Sequence, residues 1–189
     1  MTATNSIAIF GGTFDPIHNG HIHLLQGILK FNKFSKVVVV PAGNPWQKSE
    51  FTESKHRLEM VKKAVTDLEK VEVLEIEVNK PGPTYTYETL QELHRKYPNS
   101  EFILILGSDA VAGLNTWKEP NLVKTLARIY VVQRAGDFTQ DWHFDHIQMP
   151  PIEISSTEIR EKVINNESIS ELVPKSVFEY ISANGLYKN

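Results

Sequence analysis

Short apolar runs alternate with stretches of helical periodicity along most of the chain. Runs at residues 7–10, 36–41, 71–78, 101–106 and 128–133 predict five strands, and residues 147–149 predict a short sixth. The run at 36–41, KVVVVP, is β-branched without alternation, which is typical of a parallel strand buried on both faces. Strands and helices that alternate at this spacing predict an α/β fold with a doubly wound, mainly parallel sheet and helices on both faces.

The predicted helices carry start and stop signals. Apolar positions 24, 25, 28 and 29 predict a first helix from about Asn19, and a second is predicted at about 54–66. Pro81, Gly82 and Pro83 end the third strand, and Thr84 or Thr86 is expected to cap a helix that runs to about Tyr97. Further helix starts are predicted at Pro120, Ser155 and Pro174, with Gly185 as the last stop.

Composition narrows the class of protein. The chain has 189 residues, 41% of them hydrophobic, which predicts one domain at 1–189 with a C-terminal helical part at about 155–189. Its net charge of −3, with charges interspersed, argues against a nucleic-acid partner. It has no cysteine, no apolar run near the roughly 20 residues that span a bilayer, and no signal-peptide pattern. We therefore expect a cytoplasmic protein with no membrane partner.

The stretch at residues 11–21, GGTFDPIHNGH, directly follows the first predicted strand. Gly11 and Gly12 lack the Cβ atoms that would keep backbone from a ligand and permit positive φ, while a helix from Asn19 would aim free N–H groups at the same place. His18 and His21, three residues apart, would share one face of that helical turn and can donate to phosphate oxygens. The pattern predicts a phosphate site, and the alternative is a strand-to-helix turn without chemistry.

A second helix start, ISSTEIR at residues 154–160, combines hydroxyl groups with a cation. Ser155 is the expected N-cap, with Glu158 three residues on as the partner in a capping box. Such a box usually means only a stable helix start. Hydroxyls at 155–157 together with Arg160 can instead cradle a polyphosphate.

Two strands end in polar loops that contain glycine, at Gly11-Gly12 and at Gly107-Ser108-Asp109. In doubly wound sheets ligands bind beyond the carboxyl ends of the strands, where the strand order reverses. If these two strands are neighbours, their loops face each other across one pocket.

GGTFDPIHNGH resembles the signature of the nucleotidylyltransferase superfamily, and ISSTEIR matches its ISSTxIR phosphate motif. PTYTYETL and GSDAVAGLNTW are similar to the PSYT segment and to the Gly, Asp and Trp segment of its nicotinate mononucleotide adenylyltransferase branch. The resemblance implies a Rossmann-like nucleotidylyltransferase fold. It also implies transfer of the adenylyl group of ATP to nicotinate mononucleotide, giving nicotinate adenine dinucleotide and pyrophosphate in NAD biosynthesis.

The resemblance assigns residues to both substrates and implies Mg²⁺ held mainly by ATP phosphates, with no protein metal ligand. The expected catalytic residues are His18, His21, Lys48 and Arg160. The expected ATP-binding residues are Gly11, Gly12, Thr13, Phe14, His18, His21, Gly107, Asp109, Ser155, Ser156, Thr157 and Arg160. The expected residues for nicotinate mononucleotide are Asn44, Lys48, Tyr85, Thr86, Trp117 and Arg134.

Several alternatives stay open from sequence. The rival functions are another small-molecule adenylyltransferase, of the phosphopantetheine type, and a non-catalytic ATP-binding regulatory module. Residues 134–146 are interpreted as a polar loop, which explains His143, Asp145 and His146 at least as well as a metal site does. His23 and His94 are interpreted as surface or packing residues. Gln47 stands where many family members have histidine. The sequence leaves open whether the protein forms a homo-oligomer and how strictly it prefers nicotinate mononucleotide over nicotinamide mononucleotide.

Overall fold

A computed structural model describes residues 5–31, 33–45, 51–132, 144–147, 150 and 153–188, and for Asp109 the backbone alone. Its centre is a six-stranded sheet in the order β3-β2-β1-β4-β5-β6. Every pairing in the sheet is parallel. The strands are β1 (Ser6–Gly12), β2 (Lys36–Pro41), β3 (Val71–Val73), β4 (Glu101–Gly107), β5 (Arg128–Val132) and β6 (Asp145–Ile147).

The strand order reverses between β1 and β4, which pair directly in the middle of the sheet. From β1 the chain adds β2 and β3 on one side of the sheet. It then crosses back to place β4 on the other side of β1 and adds β5 and β6 beyond it. The doubly wound fold predicted from the sequence is confirmed. The two glycine-containing strand ends therefore lie side by side at the carboxyl edge, where such sheets bind ligands.

Helices cover both faces of the sheet because strand side chains alternate between two apolar clusters. One cluster joins Ala8, Phe10 and Val39 to one set of helices, and the other joins Ile7, Ile9 and Val38 to the rest. The first face carries α1 (Asn19–Lys30), α2 (Ser54–Val65), α6 (Ser156–Ile164) and α7 (Lys175–Asn184). The second carries α3 (Thr86–Lys96), α4 (Ser108–Ala112), the 3₁₀ turn Leu114–Thr116 and α5 (Pro120–Leu126).

Two strand predictions were wrong in extent. β3 stops at Val73 rather than near 78, because after Leu74 donates its N–H to Val39 the chain turns and packs against the loop that follows β2. The sixth strand lies at Asp145–Ile147, so Asp145 and His146 are strand residues rather than part of a loop. As an edge strand with one neighbour, β6 lacks the continuous apolar pattern that marks the central strands.

The observed helix ends agree with some of the predicted capping residues and differ from others. Ser155 is the N-cap of α6, and its Oγ accepts the N–H of Glu158 at 3.1 Å, as predicted. Gly185 ends α7 with φ +60°. The N-cap of α3 is Tyr85 rather than Thr84 or Thr86, and its side chain makes no capping bond. In the part of the chain that the structure describes, no helix combines the length and apolarity needed to cross a membrane.

Candidate active site

A cavity of about 400 Å³ opens at the carboxyl edge of the sheet, over the ends of β1 and β4. This volume is typical of sites for small molecules. One end is formed by the loop after β1 and the start of α1, and the other by residues 84–86 and 117–118. Gly107, at the end of β4, lies on the wall that joins them.

The loop after β1 is shaped by packing as well as by the absence of Cβ atoms. A Cβ on Gly12 would lie 2.9 Å from the Phe14 ring, so glycine is required there by a neighbouring side chain. Phe14 itself takes the left-handed conformation, with φ +52°, and packs edge-on against Phe10 and His21. Gly11 and Gly12 do not use the positive φ that glycine permits, because both remain in extended β1 and the left-handed conformation of this loop falls on Phe14.

His18 and His21 form a close pair at the start of α1. Their ring centroids are 3.7 Å apart and both rings line the cavity. His18 is the N-cap and is only 3% exposed, and its backbone N–H donates to Nδ1 of His21 at 3.2 Å. Since Nδ1 of His21 accepts, the neutral ring carries its hydrogen on Nε2, which makes that nitrogen a donor.

The first amide of α1 is not available to a ligand. Asn19 donates its N–H to the carbonyl of Leu172 at 2.9 Å, and its side chain donates to the carbonyl of Glu171. The expectation that the free N–H groups of this helix all face the loop therefore fails at Asn19. The start of α1 is instead bonded to the segment before α7. Gly20, the residue after Asn19, lines the cavity.

ISSTEIR docks α6 onto the same loop. Ser156 Oγ donates to the carbonyl of Pro16 at 3.0 Å, and Arg160 donates to the carbonyl of Asp15 at 2.8 Å and to Thr157 Oγ1 at 3.3 Å. Ile154 lines the cavity just before this helix. The motif therefore borders the cavity and holds the turn that carries His18.

Arg57 is a functional candidate that reasoning from the residues did not single out. It is fully buried and its guanidinium donates at 2.7 Å to the carbonyls of Thr52, Thr13 and Gly43. These carbonyls belong to the loop after β1, the loop after β2 and the segment before α2. Burial lowers the pKa of Arg57, against the opposing charge of Asp15. One side chain thus fixes three segments around the cavity.

Asp15 ties the same loop to the C-terminal segment. Its carboxylate accepts the Tyr187 hydroxyl at 2.8 Å and the N–H of Thr52 at 3.1 Å, and Asp15 is 4% exposed. Burial first, and the charge of Asp15 second, raise the pKa of Tyr187 above its usual value. Tyr187 therefore stays neutral and donates across the ordinary pH range.

The opposite end of the cavity presents the start of α3. Thr84 is 5% exposed, and among the described residues its Oγ1 has no hydrogen-bond partner. Its backbone N–H donates to the carbonyl of Asn44 at 3.1 Å, which joins this end to the loop after β2. Trp117, Lys118 and Glu77 also line the cavity, and Thr89 Oγ1 donates to the Glu77 carboxylate at 2.7 Å.

Comparison with known proteins places these features in a family. The cytidylyltransferase-like family model matches residues 9–162. A protein of Clostridium tetani named "probable nicotinate-nucleotide adenylyltransferase" is 36% identical over 96% of this chain and 98% of its own. One of Methylacidiphilum infernorum with the same name is 37% identical over 98% and 94%. The chain belongs to the nicotinate-nucleotide adenylyltransferase family.

A solved structure of this family has the same fold. Plasmodium falciparum nicotinic acid mononucleotide adenylyltransferase, complexed with NaAD, superposes with a TM-score of 0.83 at 25% identity. The match covers 97% of each chain. The family resemblance predicted from the motifs is confirmed over nearly the whole chain.

The cavity gathers most, but not all, of the residues expected from the family motifs. Those that line it are Gly11, Gly12, Thr13, Phe14, His18, His21, Tyr85, Thr86, Gly107 and Trp117. Asn44, Ser155, Ser156, Thr157 and Arg160 border it through backbone or docking contacts and are not in the lining. Lys48, Arg134 and the side chain of Asp109 lie outside the described residues, as does His143.

Five further polar residues line the cavity: His23, Glu77, Thr84, Thr89 and Lys118. His23 was interpreted as a surface or packing residue, but it lines the cavity. It lies three residues after Gly20 on the same face of α1, so helical spacing could have indicated its position. His94, in contrast, packs edge-on against Phe102 and contacts the Leu126 carbonyl, as expected. In the described ranges, no three His, Asp or Glu side chains form a metal cluster.

Proposed function

We propose that this chain transfers the adenylyl group of ATP to nicotinate mononucleotide, releasing nicotinate adenine dinucleotide and pyrophosphate in NAD biosynthesis. The observation that carries the proposal is that one cavity joins two different ends. The His18–His21 pair is suited to phosphates, and the Tyr85–Thr86 start of α3 with Trp117 is suited to an aromatic anion. Both substrates must meet in one enclosed space for the reaction to occur.

The reaction needs no general base on the protein. The second pKa of a phosphate monoester is about 6, so the phosphate of the mononucleotide is largely a dianion at neutral pH. One of its oxygens forms a bond to the α-phosphorus of ATP while the bond from that phosphorus to the pyrophosphate oxygen breaks. The protein has to align two anions and stabilise charge on the α-phosphate and the leaving group.

At the ATP end, the proposed donors are the side chains of His18 and His21. His21 offers Nε2–H because its Nδ1 is held by the His18 backbone. A Cβ on Gly11 would meet only ordinary van der Waals contact, with the Val40 carbonyl oxygen 3.9 Å away, and its absence lets a phosphate come close to the backbone there. Arg160 and the hydroxyls of residues 155–157 are the further groups proposed for the triphosphate, and Gly107 completes this proposed end.

At the acceptor end, Trp117 would stack on the pyridine ring, and the start of α3 would receive its carboxylate. The positive end of a helix dipole favours an anion. Asn44, Lys48, Tyr85, Thr86 and Arg134 are the other residues proposed for this substrate, and Asp109 is proposed between the two. Mg²⁺ enters as part of the substrate MgATP, held by phosphate oxygens and water, which is how this ion commonly binds.

The experiment that tests this function is pyrophosphate release with MgATP and three separate acceptors. We expect release with nicotinate mononucleotide and much less with nicotinamide mononucleotide. Release only with phosphopantetheine would assign the chain to the other adenylyltransferase class. ATP binding without release for any acceptor would support a regulatory module and contradict catalysis.

A further inference from the structure

Lys118 differs from every other cation in the described part of the chain, since no other Lys or Arg there lines the cavity. It follows Trp117 on the loop between the 3₁₀ turn and α5. None of the ion pairs found among the described residues includes it, so its charge is not paired with a carboxylate in that part of the chain. A positive charge at this position would favour a ligand that carries a negative charge.

Aromatic rings hold the Lys118 ammonium beside the start of α3. Its Nζ lies 4.3 Å from the centroid of the Tyr85 ring and 6.0 Å from that of Tyr87. The two tyrosine rings are themselves stacked, 6.3 Å apart at 26°. Cation–π attraction restrains the long side chain near residue 85, the N-cap of the helix. The ammonium and the positive helix end thus act on the same side of the cavity.

Glu77 brings a negative charge to the same end of the cavity. The residue lines the cavity, and its carboxylate accepts the hydroxyl of Thr89, in α3, at 2.7 Å. A carboxylate on the ligand would be repelled by Glu77, while an uncharged amide would not. A nearby cation offsets that repulsion. Thr84 Oγ1, buried and without a partner among the described residues, adds a hydroxyl that suits either group.

We propose that Lys118 is a specificity-determining residue, whose charge selects a pyridine mononucleotide with a carboxylate over one with a carboxamide. This inference rests on the proposed function and adds a side-chain determinant to it. The two acceptors have nearly the same shape and differ by one charge at this end of the molecule. Discrimination between them must therefore come from electrostatics rather than from fit.

The test replaces Lys118 by Met, which keeps the length of the side chain and removes the charge. The measured quantity is the ratio of kcat/KM for nicotinate mononucleotide to kcat/KM for nicotinamide mononucleotide. We expect this ratio to fall about three- to tenfold, the scale for one partly exposed charge, with the loss confined to the acid. Lys118→Glu should lower the ratio further, and added salt should shrink the wild-type preference.

Lys33→Met is the matched control. Lys33 is also exposed and also lies over an aromatic ring, 4.9 Å from the centroid of Phe31, but it is not part of the cavity lining. This variant should leave the ratio unchanged. Because both lysines are exposed, neither substitution should change the unfolding midpoint appreciably.

The outcomes separate the two proposals. A wild-type protein that is active with nicotinate mononucleotide, together with an unchanged ratio in Lys118→Met, would overturn the role of Lys118 alone. Equal losses for acid and amide would also overturn it, because they would indicate packing of Tyr85 rather than charge selection. A wild-type protein that releases no pyrophosphate with either pyridine nucleotide would overturn both proposals.

Discussion

The two ends of the cavity differ in how many of their polar groups are already hydrogen-bonded to other groups of the protein. At the end formed by the loop after β1, Arg57, Ser156, Arg160 and Tyr187 all bond to residues 13–16. At the end formed by the start of α3, Thr84 Oγ1 has no partner among the described residues and Lys118 rests on an aromatic face. The first end is held rigid by internal bonds, and the second keeps groups available for a ligand.

This difference agrees with the two tasks that the proposed reaction sets. Alignment of reacting phosphates requires donors fixed before the substrate arrives, because catalytic stabilisation depends on groups that do not need to reorganise. Recognition of the acceptor requires unsatisfied donors and charge that the right ligand completes. Substitutions at the first end should therefore act on stability and kcat, and those at the second on KM and selectivity.

The largest expected effect is that of Arg57→Met on stability. Removal of the guanidinium leaves three carbonyls without their buried donor, and we expect the free energy of unfolding to fall by about 3–5 kcal/mol. Urea denaturation measures this change, with Arg95→Met on the exposed face of α3 as control. A loss no larger than that of the control would mean that the loop after β1 is held by other contacts.

Next in size is the effect of His18→Ala and His21→Ala on turnover. Each variant should lower kcat by on the order of 10²-fold, equivalent to about 2.7 kcal/mol, because each removes a proposed donor to the reacting phosphates. Steady-state pyrophosphate release measures kcat, and unfolding curves check the buried His18 variant for loss of fold. His94→Ala, on a ring that packs outside the cavity, is the control. Near-normal kcat in both cavity variants would contradict their role.

A smaller effect is expected for Trp117→Ala, at the acceptor end. Loss of stacking should raise KM for nicotinate mononucleotide about tenfold, equivalent to about 1.4 kcal/mol, and change KM for ATP less. Trp117→Phe keeps an aromatic face and should recover much of the loss. Equal changes in both KM values would count against stacking on the pyridine ring.

The smallest effect is that of Tyr187→Phe, which removes a bond to Asp15 worth about 1 kcal/mol at neutral pH. Because burial and Asp15 raise the pKa of Tyr187, the folded protein keeps the phenol proton that the unfolded chain loses above about pH 10. Its stabilising contribution is therefore complete below pH 10 and declines as pH rises beyond it.

The measurement for Tyr187→Phe is urea unfolding at pH 7 and at several values above 10. The free energy of the wild type should fall there by up to about 1.4 kcal/mol per pH unit more steeply than that of the variant. Parallel slopes would mean that the phenol is no better protected in the fold than in the unfolded chain.

The sequence by itself determined the sheet and most helix positions, because these depend on local periodicity. The uninterrupted β-branched run gave β2 its observed bounds, and apolar spacing with the Ser155 cap and Gly185 stop placed the helices to within a residue or two. The glycine-containing ends of β1 and β4 could be expected to meet because parallel sheets present such ends at one edge. β3 was predicted too long and edge strand β6 was predicted to begin two residues too late, since their patterns are weak.

The tertiary structure decided how the side chains at the site are used, because each use depends on residues far apart along the chain. Gly12 is required by the ring of Phe14, and the N–H of Asn19 is taken by Leu172. No local pattern shows that Arg57 would be buried on carbonyls of three segments, or that Lys118 would lie over Tyr85. Periodicity indicates which face of a helix or strand is buried. Only the packed fold determines which residue from a distant part of the chain contacts that face.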